Sequence, residues 1–141
     1  DLGGNVYSKG THKIGIKEPV DTESALACAV TVCDRAVVTS GVYQRYFIDE
    51  SGKRRHHILD PKTGYPAESD ILSVTVIGES GTACDVLSTA FLVMGKEKTF
   101  ETYRAFGAVE VIVLTSDTLY CTKGVAGDVS DVNGKYKTIV M

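Results

Sequence analysis

The chain has 141 residues, 43% hydrophobic and 23% charged, which is the length of one domain and a composition that excludes a disordered tail. Fifteen Lys and Arg against eighteen Asp and Glu leave a net charge of −3, so there is no electrostatic footprint for nucleic acid or an anionic membrane surface. The longest charge-free apolar stretches, 25–33 and 86–95, fall short of the roughly 18–20 residues that span a bilayer.

The chain opens directly on Asp1-Leu2-Gly3-Gly4-Asn5, with no secretory signal ahead of its first strand, and reads as the interior of something longer. Two short strands are predicted at 2–7 and 14–17 around a turn containing Gly10. A loop follows from Glu18-Pro19 through Asp21, Thr22 and Glu23. The β-branched and small residues of 26–38 predict a hairpin or pair of strands bending at Asp34-Arg35, with a helix over 23–33 as the competing reading. Thr39-Ser40-Gly41 reads as a small polar turn. Strands at 42–48 and 54–59 flank Asp49-Glu50-Ser51-Gly52-Lys53, a hairpin. In its second arm the two-residue period places Arg55, His57 and Leu59 on one face and Arg54, His56 and Ile58 on the other. The arm stops at Asp60-Pro61-Lys62-Thr63-Gly64, the composition of a type I turn.

A strand is predicted at 72–77, then the clearest helix at 82–94, with Ala83, Val86, Leu87, Ala90, Phe91 and Met94 at offsets of three and four. A more polar helix over 96–106 follows the break at Gly95. Strands at 108–114 and 118–122 form a second hairpin turning at Ser116-Asp117, and Asn133-Gly134 predicts a two-residue hairpin leading into 135–140. The whole reads as a single α+β domain, 1–141, on a largely antiparallel sheet. Cys28, Cys33, Cys84 and Cys121 stand singly, without a C-x-x-C pair. That argues for buried small hydrophobes over zinc-ribbon or thioredoxin-like chemistry, and leaves one disulfide open.

Three places carry candidate chemistry. Asp85 is the only charged side chain in its helix, which reads as buried nearly all round, so its carboxylate must meet a cation, donors or water. Asp85 and Thr89 are one helical turn apart, and carboxylate plus hydroxyl suits Mg²⁺ or Ca²⁺. The alternative is a helix cap, Thr82-x-x-Asp85. His56-His57 ends a strand beside a rigid Pro turn, where an imidazole suits proton transfer near neutrality, or simply fills an exposed face. Thr39-Ser40-Gly41-Val42-Tyr43 offers backbone donors and a hydroxyl to a phosphate or flavin edge, or is an ordinary turn.

Taken in order, Asp1-Leu2-Gly3-Gly4-Asn5, Thr39-Ser40-Gly41-x-Tyr43, His57-Ile58-Leu59-Asp60-Pro61-x-Thr63-Gly64 and Cys84-Asp85-x-x-Ser88-Thr89-Ala90 resemble the ApbE family of FAD:protein FMN transferases, over residues 1 to about 124. The resemblance implies a T-fold-type α+β architecture. It implies cleavage of FAD at its pyrophosphate and Mg²⁺-dependent transfer of FMN to a threonine of an acceptor protein. The typical acceptors it implies are flavoprotein subunits of membrane redox pumps. Asp85 and Thr89 match the family's side-chain Mg²⁺ ligands, and His57 matches the base that deprotonates the acceptor threonine. Ser40, Gly41, His57 and Ile58 fall in stretches near the flavin; His56 is left out of catalysis. Whole members are roughly twice this length, so this chain reads as a C-terminal portion of the full fold. Its parent is expected to be exported or lipid-anchored. A non-catalytic flavin- or metal-binding domain, or an FAD pyrophosphatase giving FMN and AMP, are the other readings.

Overall fold

The computed structural model describes residues 3–19, 25–43, 46–107 and 109–141. Asp1-Leu2, the loop residues Asp21, Thr22 and Glu23, and Ala108 at the head of a predicted strand lie outside these.

The first half is one long antiparallel ribbon, bent in the middle. Strand β1 (Asn5–Tyr7) pairs with β4 (Ala36–Gly41), and β2 (Thr11–Lys17) pairs with β3 (Leu26–Cys33). Leu26–Cys33 is therefore strand and not helix, and of the two strand readings the pair of strands bending at Asp34-Arg35 forms while the hairpin does not. Asp34-Arg35 instead marks the corner where the ribbon passes between two sheets, lying beside the turn at Gly10. Asp34 takes a left-handed φ of 50°, which a short Asx side chain tolerates. Its carboxylate accepts from the Gly10 amide at 2.8 Å, and the Arg35 carbonyl accepts from Ser8 N–H at 2.9 Å. A charged pair suits a solvent-facing corner as well as a hairpin apex, which is why composition alone misplaces it.

The main sheet has six strands in the order β1-β4-β7-β8-β9-β11, with β7 at Ser73–Gly78, β8 at Glu110–Leu114, β9 at Thr118–Cys121 and β11 at Lys137–Val140. A three-stranded sheet, β10-β3-β2, covers one face, β10 being Val129–Asp131. Helices α1 (Gly81–Met94) and α2 (Lys96–Thr102, continued by a 3-10 turn) cover the other. Strand alternation sorts the apolar residues between the layers. Val38, Val76, Val111 and Val113 meet Leu87, Phe91 and Leu92 of α1, whereas Val37, Ile77, Ile112 and Leu114 meet Ile16, Cys28, Val30 and Val32. Each such fully buried aliphatic contributes about 1.5–3 kcal/mol relative to exposure.

The hairpin across Ser116-Asp117 forms, with Thr115 N–H donating to the Thr118 carbonyl at 3.0 Å. The Asn133-Gly134 hairpin does not. Strand β10 pairs with β3 and β11 runs parallel to β9, so the loop carries the chain from one sheet to the other. The Asp131 carboxylate accepts from the Asn133 and Gly134 amides. Glu18, 5% exposed, receives the Tyr136 hydroxyl at 2.6 Å, the Asn133 side-chain amide at 3.0 Å and the Lys135 ammonium. A local turn signal is overruled here by a buried carboxylate more than a hundred residues away.

The predicted stripe on α1 is rotated. The buried face is Cys84, Leu87, Ser88, Phe91 and Leu92, while Val86 is 64% exposed. Both stripes have offsets of three and four, so periodicity could not choose between them. Cys28, Cys84 and Cys121 are buried thiols, as expected, but Cys33 is exposed, and all four are free. Among the described residues no helix is long and apolar enough to cross a membrane.

Candidate active site

Thr39-Ser40-Gly41 is the end of strand β4, and the turn begins only at Val42. Alternation sends Thr39 to the three-stranded side, where its hydroxyl meets that of Thr75 at 2.8 Å, and Ser40 to the helix side. There the Ser40 hydroxyl lies 2.8 Å from Ser88 Oγ and 3.0 Å from Thr89 Oγ1. Two motifs separated by almost fifty residues thus meet through their hydroxyls. Gly41 is buried, and a Cβ there would stand 2.4 Å from the Tyr43 ring. The absent side chain is what lets that ring fold back over the strand end.

Asp85 corrects the sequence reading in two ways. Its helix is not buried all round: Thr82, Ala83, Asp85, Val86 and Thr89 form an exposed face. Nor does Thr82 cap it. Ser80 is the N-cap, its hydroxyl accepting from Ala83 N–H at 3.3 Å, and Asp85 sits beyond the first turn. Among the described residues no hydrogen bond or ion pair engages the Asp85 carboxylate; only its main-chain carbonyl is used, accepting from Ser88 Oγ at 3.0 Å and Thr89 Oγ1 at 3.3 Å.

A free carboxylate and a hydroxyl one helical turn away are hard oxygen donors, and they fit a magnesium-type cation that keeps positions for phosphate oxygens and water. Among the described residues no group of three or more His, Cys, Asp or Glu gathers to hold a metal. Burial pushes the neighbouring Cys84 thiol up, which keeps it a packing group.

His57 arrives on a separate element. Strands β5 (Tyr46–Ile48) and β6 (Arg54–His56) form the expected hairpin. Its turn is organised by Asp49, which accepts from the Ser51 hydroxyl at 2.6 Å, Arg55 Nε at 2.7 Å and Lys53 N–H at 2.9 Å. These donors, the Ser51 hydroxyl first, hold the Asp49 carboxyl well below the usual carboxylate range. Past β6 the alternation persists: Ile58 is buried and His57 and Leu59 are exposed. Ile58 therefore belongs with Leu87 and Phe91 in the core, and its side chain anchors the segment; a flavin there would meet only its backbone.

Ala67 closes the loop, accepting from His56 Nε2 at 2.9 Å and donating to the Ile58 carbonyl at 3.0 Å. The predicted turn follows, with Gly64 N–H and Thr63 N–H donating to the Asp60 carbonyl at 2.8 and 3.2 Å. His56 faces a cavity of about 420 Å³ that also touches Val42, Lys53, Ala67, Asp70 and Leu72.

The structure thus joins Ser40 to Thr89 and places Asp85 beside them, while His57 is tied to α1 through Ile58. The sequence reading missed Ser88, which is fully buried and links Ser40 to the Asp85 carbonyl. The available signal was a pair of adjacent hydroxyls, Ser88-Thr89, on an apolar helix: with both neighbouring, one must face inward and find a partner.

Comparison with known proteins bears on the family and the fold. Residues 1–113 match the ApbE family. The FAD:protein FMN transferase of Klebsiella pneumoniae is 40% identical over 117 residues, covering 83% of this chain and 37% of that protein. That of Treponema pallidum is 37% identical over 131 residues, covering 83% and 36%. The solved flavin transferase ApbE from Vibrio cholerae matches with a TM-score of 0.73 at 29% identity, over 91% of this chain and 43% of that one. The solved ApbE protein from Thermotoga maritima gives 0.68 at 35% identity, over 93% and 41%. The chain spans a little over a third of the length of these curated relatives, and its α+β layers are part of an ApbE fold. On its sequence over most of its length and on its fold, the chain belongs to the ApbE family.

Proposed function

We propose that this chain is the C-terminal part of a transferase that moves FMN from FAD onto a threonine of an acceptor protein. The observation that carries the reading is the meeting of Ser40 with Thr89 beside the unengaged Asp85 carboxylate, within a family whose curated relatives are named FAD:protein FMN transferase. Asp85 and Thr89 hold Mg²⁺, which when bound neutralises charge on the pyrophosphate. His57 takes the proton from the acceptor hydroxyl. The threonine oxygen then bonds to the FMN phosphorus, the pyrophosphate P–O bond breaks, and AMP leaves. Positioning and electrostatics carry most of such a phosphoryl transfer, and a placed base contributes about 10²–10⁴-fold. The backbone at Gly41 and Ile58 borders the flavin phosphate.

The acceptor implied by the family resemblance is a flavoprotein subunit of a membrane redox pump, reached by a parent protein that is exported or lipid-anchored. Incubating the full-length protein with FAD, Mg²⁺ and a threonine-containing acceptor, then reading covalent flavin fluorescence on the denatured acceptor, tests the proposal. Labelled acceptor with release of AMP supports it. Free FMN and AMP with unlabelled acceptor identify a pyrophosphatase, and bound, intact FAD identifies a binding domain; either result overturns it.

A further inference from the structure

We infer that Ser40 and Ser88 are positioning residues for Thr89, forming a hydroxyl relay behind the cation site instead of a contact to the flavin. The inference rests on the reading of Asp85 and Thr89 as cation ligands, and follows from counting hydrogens. Each hydroxyl has one hydrogen to give. The Asp85 carbonyl can only accept, so Ser88, 3.0 Å away, spends its hydrogen there. In the 2.8 Å contact between Ser40 and Ser88 the donor is then Ser40. Ser40 having spent its hydrogen, the donor in the 3.0 Å contact between Ser40 and Thr89 is Thr89. The relay runs one way, from Thr89 through Ser40 and Ser88 to the main chain of α1. The longer 3.3 Å contact from Thr89 to the Asp85 carbonyl competes for the same hydrogen and is the weaker of the two.

This direction matters to a cation. With its hydrogen committed to the sheet side, the Thr89 oxygen leaves its lone pairs to the exposed face it shares with Asp85. Ser88 is 0% exposed and has no surface on which to meet a ligand, so any influence on the site passes through the relay. A buried hydroxyl left without a partner is costly, and the relay accounts for a serine inside an apolar helix face. Partners behind a metal ligand are typically worth about 10–100-fold in metal affinity.

The test uses Mn²⁺ as a paramagnetic stand-in for Mg²⁺, with its dissociation constant read by electron paramagnetic resonance on the full-length protein and FAD affinity in metal-free buffer read by flavin fluorescence. Ser88→Ala and Ser40→Ala should each weaken Mn²⁺ by about 10-fold or more, and the double variant by no more than the worse single one. Ser40→Thr, which keeps the hydroxyl, should restore binding, and metal-free FAD affinity should not move. Unchanged Mn²⁺ affinity in Ser88→Ala, or a Ser40→Ala defect confined to FAD, overturns the relay. Should Ser88→Ala fail to fold, Ser40→Ala and its Thr rescue decide alone. Asp85→Asn separates the two levels. If it abolishes Mn²⁺ binding while the serine variants are neutral, only the relay fails; if it too leaves Mn²⁺ affinity unchanged, the cation reading fails and takes the relay with it.

Discussion

Asp85→Asn separates the chemistry of the site from its architecture. The change keeps the volume and shape of the side chain and removes only its charge. The Asp85 carboxylate is exposed and is engaged by no hydrogen bond or ion pair among the described residues, while the contacts that tie Ser88 and Thr89 to this position run to its main-chain carbonyl and survive the substitution. Surface changes of this kind stay within about 0.5 kcal/mol. For a chain of this length that is a shift of no more than about 2–3 °C in Tm. On the proposal that Asp85 and Thr89 hold Mg²⁺, the substitution removes the carboxylate from that pair, and with it transition-state stabilisation of several kcal/mol, or on the order of 10²-fold or more in rate. Thermal denaturation by circular dichroism should therefore superimpose on wild type, while covalent flavinylation at saturating FAD collapses and raised Mg²⁺ recovers only part of it. Wild-type turnover by Asp85→Asn would refute the assignment of Asp85 to the metal. A Tm drop of 10 °C would refute the claim that its carboxylate is structurally idle.

His57→Ala should bind FAD as wild type does, by fluorescence titration, yet label its acceptor about 10²–10⁴-fold more slowly, the contribution of a placed base. Equal labelling rates would remove His57 from proton transfer. Gly41→Ala puts a methyl 2.4 Å from the Tyr43 ring, which must swing aside, so KM for FAD should rise in a protein that still folds; an unchanged KM would show that this ring position is irrelevant to the flavin. Phe91→Ala empties a fully buried position between α1 and the sheet and should cost about 3–5 kcal/mol in urea denaturation, against which a loss below about 1 kcal/mol would contradict the packing.

Acid sensitivity follows from Glu18. Burial alone pushes its carboxyl up, but hydrogen bonds from Lys135 and Tyr136, the Lys135 charge and Asn133 outweigh that and hold it below its ordinary 4.5. A lowered folded-state value means that the ionised form stabilises the fold above about pH 4.5. That stability is lost as pH falls through the lower folded value. Urea midpoints measured downward from pH 6 should fall more steeply for wild type than for Glu18→Gln, and parallel slopes would show that Glu18 is not the group responsible.

Much of this protein is written locally. The hairpins at Asp49–Lys53 and Ser116-Asp117 and the turn at Asp60-Pro61 form where short-range chemistry puts them, because each turn closes on its own side chains and amides. The split of His56 and Ile58 from His57 and Leu59 holds as well, since a period of two is a property of extended backbone. The ordered motifs place the chain in its family and single out Asp85, Thr89, Ser40 and His57. Sequence could not tell which strand pairs with which: Asp34-Arg35 and Asn133-Gly134 look like hairpin tips and turn out to be crossings between sheets, one held by Gly10 and the other by Glu18. Nor could it tell which of two equally periodic stripes of α1 faces inward. Ser88 turns to the sheet because Ser40, forty-eight residues earlier, supplies the partner a buried hydroxyl requires, and the same rotation brings Asp85 out into solvent. Periodicity and turn propensity are set by neighbours along the chain, whereas the satisfaction of buried polar groups is settled only when distant segments meet.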